Sequence, residues 1–207
     1  MHKIYIIGAG GQAKVVISTI KALNYRVTGI FDDDLNKKGS CLLDVPILGP
    51  LNEIAFDDGY FIIAVGDNSI RKRVFEKISG LNNISYLKLI HPKAFVDDKV
   101  KIGDGTVVFA GAIIQTNTKI GNHCIINTAC SIDHDCEIGD FCHIAPGVHM
   151  AGGVRVGEGA FVGIGSIVIP NVEIGEWSQI GAGSVVVSNI PPRVLAYGNP
   201  ARIIKNL

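Results

Sequence analysis

His134 stands between two carboxylates in the run Asp133-His134-Asp135-Cys136. An imidazole with an ordinary pKa near ~6.5 can take and return a proton close to neutrality, and a neighbouring carboxylate favours the imidazolium that forms. That is the chemistry of a general base acting on an attacking nucleophile. The bland alternative, for any one histidine, is a solvated or packed side chain. A second cluster lies near the N-terminus, where Gly8-Ala9-Gly10-Gly11-Gln12-Ala13 follows the apolar run Lys3-Ile4-Tyr5-Ile6-Ile7. It reads G-x-G-x-x-A, a loop whose backbone amides approach phosphates at a helix N-terminus. Asp32-Asp33-Asp34 come about 20 residues further on, where a ribose or base contact is expected. Gly66-Asp67-Asn68 forms a third group, with Arg71 just beyond it.

These clusters need elements to hold them. Residues 3–7, 27–31 and 60–65 read as strands, and the stretches to Leu23 and over 69–79 read as helices. The three loops then lie at strand carboxyl ends, the usual ligand side of an open α/β sheet. The candidate binding residues are Gly10, Gly11, Gln12, Asp32, Asp33, Gly66 and Asn68. A tight turn with no ligand and a dehydrogenase-type dinucleotide domain are the competing readings. Residues 1–85 are too few for two mononucleotide halves, so half a Rossmann-like unit suits a single nucleotide.

His134 belongs to a different kind of chain. Every sixth residue from Ile90 to Val186 is aliphatic: Ile90, Val96, Ile102, Val108, Ile114, Ile120, and so on through Ile174, Ile180 and Val186. Four residues after each comes a small one, for example Ala94, Thr106, Ala112, Cys124, Ala160 and Ser178. Glycine often follows the aliphatic directly, as at Gly103, Gly121, Gly139, Gly157, Gly163, Gly175 and Gly181. A period of six fits neither a helix nor a flat amphipathic strand. It suits short strands joined by tight turns, with the aliphatic pointing inward and glycine freeing the turn backbone. His134 lies off both the aliphatic and the small register, so the core does not need its side chain.

The pattern resembles the hexapeptide repeat of left-handed parallel β-helix acyltransferases, in which three hexapeptides make one triangular coil. That resemblance implies about five coils. The predicted fold is an α/β half-Rossmann-like domain over 1–85, then an all-β left-handed parallel β-helix over 86–207. After Val186 the period stops, and Ile190 to Arg202 are Pro-rich and basic. The segment Gly198-Asn199-Pro200-Ala201-Arg202 resembles the closing motif of CoA-dependent hexapeptide acetyltransferases. Together the Gly-rich unit, Gly66-Asp67-Asn68-x-x-Arg71, Asp133-His134-Asp135-Cys136 and this tail resemble the NeuD/PglD-like sugar acyltransferases over the whole chain.

The resemblance implies that the N-terminal unit holds a nucleotide-linked amino sugar. It also implies a homotrimer whose β-helices bind acetyl-CoA between neighbouring subunits. It assigns His134 as general base and Asp135 as the residue tuning it. It places His143, Ile164 and Ala182 near CoA, Asn127 near the pantetheine arm and Gly152 at the acetyl carbonyl. Gly152 is three repeats past His134, hence one coil or about 4.8 Å away by strand spacing. A backbone N–H there suits the thioester oxyanion, and glycine permits close approach. Where the PglD-type loop usually has His, this chain has Gln12, which hydrogen-bonds but does not titrate near neutrality. The implied activity is acetyl-CoA-dependent N-acetylation of a nucleotide-linked 4-amino-4,6-dideoxyhexose for surface-glycan assembly. The runner-up is O-acetylation of sialic acid or a relative.

Other classes are disfavoured. Lys plus Arg and Asp plus Glu are both 19, so net charge gives no case for nucleic acid or an anionic membrane. Mean hydropathy is +0.33, but no apolar run approaches the ~20 residues that span a bilayer. Met1-His2-Lys3 leads directly into the first strand, so a signal peptide is not expected and a cytoplasmic location is. Of five cysteines, Cys124, Cys130, Cys136 and Cys142 fall on the small register and read as packed turn residues rather than a disulfide framework. A zinc site on His134, His143 and His149 would resemble γ-type carbonic anhydrase, but that family's H-x₄-H pair is absent, so no metal is expected. A noncatalytic β-helix scaffold is the remaining alternative.

Overall fold

The computed structural model describes residues 3–54, 59–80 and 84–207. Met1 and His2, on which the signal-peptide reading partly rests, lie outside them. The chain forms two compact units, Met1–His91 and Pro92–Leu207.

The first unit contains β1 (Lys3–Ile7), α1 (Gly11–Ala22), β2 (Gly29–Phe31), β3 (Cys41–Leu42), β4 (Val45–Gly49), β5 (Gly59–Ile63), α2 (Asn68–Ser79) and β6 (Ile84–Tyr86). The sheet order is β3-β4-β2-β1-β5-β6, parallel throughout except for the β3–β4 hairpin. Central β1 is buried along Ile4, Tyr5, Ile6 and Ile7, so both its faces are covered, as a parallel strand requires. Tyr5, Ile7, Phe31, Phe61 and Ile63 pack with Ile78 of α2 on one face. In α1 the buried residues Ala13, Val16, Ile17 and Ile20 follow the i, i+3, i+4, i+7 spacing of a core-facing stripe. The Asp67 carboxylate caps α2, accepting from Ile70 N–H at 2.8 Å. Because β1 lies between β2 and β5, the chain winds first to one side and then to the other. The loops after these three strands therefore meet at a switch point. The β3–β4 hairpin escaped the sequence reading. It turns on Leu43 and Asp44 at φ 49° and 68°, and leucine is no cue for a left-handed turn.

In the second unit, two-residue strands recur every six residues from Phe95–Val96 to Val185–Val186. From Phe95–Val96 through Ile167–Val168, each pairs in parallel with the strand three repeats later, which makes a three-sided prism. The first face carries Val107–Val108, Ile125–Ile126, His143–Ile144, Phe161–Val162 and Gln179–Ile180. The second carries Phe95–Val96, Ile113–Ile114, Ser131–Ile132, His149–Met150, Ile167–Val168 and Val185–Val186. The third carries Lys101–Ile102, Lys119–Ile120, Glu137–Ile138, Arg155–Val156 and Glu173–Ile174. The aliphatic register from Val108 to Val186 fills the interior, each side chain contributing roughly 1.5–3 kcal/mol on burial.

The small register does more than fill space. Thr106 Oγ1 donates to Gly121 O at 2.7 Å, Thr118 Oγ1 to Asp133 O at 2.8 Å, Cys124 Sγ to Gly139 O at 3.0 Å and Ser178 Oγ to Pro191 O at 2.7 Å. Carbonyls turned into a dry corner need a donor, which is why Thr, Ser and Cys recur there.

The glycines after the aliphatics have a different cause from the one expected. They do not adopt left-handed backbone. A Cβ on Gly139 would instead lie 2.7 Å from Glu158 N and 3.1 Å from Gly157 C, in the backbone of the next coil. The left-handed turn positions form a separate register, among them Gly105, Asn117, Asp135, Gly153 and Asn171. The tail also stays ordered beyond the repeat: Val194–Gly198 pairs in parallel with Gln179–Ile180 and antiparallel with Ala201–Asn206. Among the described residues no helix is long and apolar enough to cross a membrane.

Candidate active site

The turn at 133–136 joins the second face to the third and is held from inside. Thr118 Oγ1 fixes the Asp133 carbonyl, Asp135 N–H donates to Thr116 O at 3.1 Å, and the buried Cys136 thiol donates to Ala151 O at 3.3 Å. With its neighbours tied inward, His134 projects outward, and its side chain is 57% exposed. Asp133 Oδ1 accepts from His134 N–H at 2.9 Å. Asp135, at φ 59°, turns its carboxylate back so that Oδ2 meets His134 Nδ1 at 2.7 Å. A carboxylate only accepts, so Nδ1 carries the hydrogen and Nε2 keeps its lone pair. The hydrogen bond to Asp135, then the charge of Asp133, raises the His134 pKa above its ordinary value. The same bond, then one from Asn117, lowers that of Asp135.

The imidazole lies against Gly152 on the next coil. A Cβ there would fall 2.5 Å from His134 Cε1 and 2.6 Å from Nε2, so the ring occupies the space a side chain would take. A groove of about 370 Å³ opens beside the pair, lined by Asp135, Glu137, Arg155, Asn171 and Glu173 among others.

The expected CoA residues lie elsewhere on the same prism. Asn127, Ile164 and Ala182 all follow first-face strands and line the edge between the first and second faces. Asn127 Nδ2 and His143 Nε2 are 3.1 Å apart, and His143 sits edge-on to Phe161 with ring centroids 5.2 Å apart. Within one chain, then, His134, Asp135 and Gly152 come together on one edge. Asn127, Ile164 and Ala182 lie along another edge, with His143 beside Asn127 on the first face, and the second face separates the two edges. His149, on that second face, meets Ser131 Oγ at 2.7 Å. Among the described residues no group of three or more His, Cys, Asp or Glu is placed to hold a metal ion.

In the first unit the three predicted loops converge. Gly8 N–H donates to Phe31 O at 2.7 Å, and Ala9 N–H donates to Asp32 Oδ2 at 2.6 Å. Gly8, at φ 97°, packs so closely that a Cβ would meet Val65 Cγ2 at 3.1 Å. Gly10 and Gly11 face open space, and α1 starts with no side-chain cap, leaving its N–H groups for an anion. Gln12 Nε2 is buried without a hydrogen-bond partner. Asp32 is bridged by Lys37 at 3.1 Å. Burial pushes its pKa up, but the bonds from Ala9, Asp34 and Lys37 outweigh that and leave it lowered. Asp33 accepts from Lys77 at 2.8 Å and from Leu51 N–H at 2.9 Å. The Asn68 side chain faces inward, its Oδ1 accepting from buried Arg71 at 2.8 Å. Arg71 also ties the Val65 carbonyl at 2.9 Å, so it shapes the loop at Gly66. Lys37, Lys77 and Asn117 were not singled out in the sequence. The two lysines belong to no motif, whereas Asn117 could have been found three repeats before Asp135.

Fold and site place the chain in a known class of β-helix proteins. Residues 3–78 match the PglD N-terminal domain, and residues 117–152 and 153–188 match the bacterial transferase hexapeptide family. The structure superposes on a His-to-Ala mutant of GDP-perosamine N-acetyl transferase from Caulobacter crescentus, in complex with CoA and GDP-perosamine. The TM-score is 0.91 at 40% identity, over 100% of this chain and 98% of that one. It also superposes on the acetyltransferase domain of PglB from Neisseria gonorrhoeae in complex with acetyl coenzyme A, with TM-score 0.90 and 35% identity over 98% and 99% of the two chains. UDP-N-acetylbacillosamine N-acetyltransferase of Bacillus subtilis is 42% identical over 117 residues. That match spans 53% of this chain and 52% of the relative, about half of each. The prism is thus a left-handed parallel β-helix, preceded by a Rossmann-like unit. The chain belongs to the NeuD/PglD-like sugar acyltransferases of the hexapeptide-repeat superfamily.

Proposed function

We propose that the protein is an acetyl-CoA-dependent N-acetyltransferase acting in the cytoplasm on a nucleotide-linked amino sugar, a 4-amino-4,6-dideoxyhexose. The observation that carries this reading is the His134 ring, held by Asp135 and lying against Gly152 where no side chain fits. The amino nitrogen attacks the thioester carbonyl carbon while His134 Nε2 takes the nitrogen's proton. The C–S bond then breaks, and the imidazolium returns the proton to the departing thiolate. The Gly152 N–H donates to the oxyanion, an interaction worth roughly 10²–10³-fold. Transfer is direct. Cys136 is two residues from His134, but burial raises its pKa and its thiol donates to a carbonyl, so it is no thiolate nucleophile.

Gly10, Gly11, Gln12, Asp32, Asp33, Gly66 and Asn68 are assigned to the nucleotide, the glycines and the helix start supplying amides for its phosphates. Asn127, His143, Ile164 and Ala182 are assigned to CoA. Since they lie away from the edge that carries His134, a complete site takes them from a neighbouring copy, in a homotrimer. Exposed Phe95, Ile113 and Ile167 on the intervening second face fit burial in such an assembly. Light scattering is expected to give about three times the 22.0 kDa chain mass; an active monomer would contradict the shared site.

The deciding experiment follows CoA release with acetyl-CoA and a panel of GDP-, UDP- and dTDP-linked 4-amino sugars, with sialic acid as the competing acceptor. Turnover of one amino sugar is expected. His134→Ala is expected to lower kcat roughly 10²–10⁴-fold with calorimetric acetyl-CoA binding retained. Turnover of sialic acid alone, or a fully active His134→Ala, refutes the reading.

A further inference from the structure

Both oxygens of the Asp135 carboxylate are engaged. Oδ2 meets His134 Nδ1 at 2.7 Å, and Oδ1 accepts from Asn117 Nδ2 at 3.3 Å. Asn117 lies three repeats earlier at the equivalent corner, with φ 60° against 59° for Asp135. Stacking of the coils fixes the two corners one above the other. Asp135 N–H bonds Thr116 O, and Thr118 Oγ1 bonds Asp133 O, so the residues on either side of Asn117 grip the turn that carries the His–Asp pair. The charged groups around the pair are Asp133 on the same turn and, along the adjoining groove, Glu137, Arg155 and Glu173. The next coil sets Gly152 against the imidazole.

We infer that Asn117 is a positioning residue for the proton transfer: its amide pins Asp135 Oδ1, so that Oδ2 stays on His134 Nδ1 and the Nε2 lone pair stays turned to the acceptor nitrogen. This rests on the general-base reading of His134. The chemistry of the position fits. Asparagine tolerates the left-handed corner and donates without charge. A lysine there would neutralise the carboxylate, and an aspartate would repel it. The competing explanation is that Asn117 is present only because its backbone is left-handed. Glycine separates the two, since it keeps that backbone and removes the amide.

The test is Asn117→Gly assayed for kcat, KM and pH profile, alone and in an Asp135→Asn background. Loss of one exposed hydrogen bond is expected to lower kcat about 3- to 10-fold. The KM for acetyl-CoA should not change. The ascending limb of the kcat profile should move to lower pH as the His134–Asp135 contact loosens. In Asp135→Asn the same substitution should cost nothing further, because its effect runs through that carboxylate. An unchanged limb and turnover, or the same loss in both backgrounds, overturns the proposal. His134→Ala serves as the control: if it remains active, the general-base reading itself fails, a result distinct from any Asn117 outcome.

Discussion

Gly152→Ala probes the candidate site with a single methyl group. Gly152 does not occupy the left-handed region, so alanine is compatible with the backbone, and its N–H remains available. The new Cβ would fall 2.5 Å from His134 Cε1, whereas ordinary contact begins near 3.4 Å. The ring must therefore retreat by about 0.9 Å. A shift of that size is enough to lengthen the 2.7 Å bond to Asp135 beyond hydrogen-bond reach. Misplacement of a reacting group by ~1 Å can cost ~10²-fold, and kcat is expected to fall by about that factor. The pH limb should move down as well, because the bond that raises the imidazole pKa is the one broken. Thermal stability should hardly change, since His134 is exposed and can swing into solvent. The assay is steady-state CoA release across pH, repeated in a His134→Ala background where the methyl group meets no ring and should be nearly neutral. If Gly152→Ala keeps kcat within twofold of wild type, or costs as much without the histidine, the reasoning that His134 works from this position is wrong.

Asp135→Asn should shift the ascending pH limb downward and lower kcat less than His134→Ala does; a limb that stays put removes Asp135 from the proton transfer. Asp33→Ala should raise the KM for the nucleotide sugar and spare that for acetyl-CoA, because Asp33 belongs to the first unit's loop cluster. Parallel movement of both constants would contradict that division. Gly139→Ala should destabilise the second unit by about 1–3 kcal/mol, since its Cβ lands on the backbone of the next coil rather than on a movable side chain. A calorimetric Tm equal to wild type would show that coil spacing is softer than the contacts imply.

Much of this protein was legible in the chain itself. The six-residue period set the strands, the coil stacking and the inward aliphatics, because repetition leaves each side chain one environment to match. It also put Gly152 one coil from His134, and the Gly8–Ala13 loop marked the start of α1. Other features depended on neighbours far away in sequence. The glycines after the aliphatics are required by the proximity of the next coil, not by the turn they were expected to free. The small register carries donors because interior carbonyls of a following coil point at it. The β3–β4 hairpin turns on a left-handed Leu43, which has no local signature. Lys77 reaches Asp33, 44 positions earlier in the chain, only once the sheet is assembled. The orientation of Asp135 toward His134, and of Asn117 toward Asp135, is likewise tertiary. Sequence places these residues at successive corners, but only the stacked backbone brings an amide, a carboxylate and an imidazole within hydrogen-bonding range.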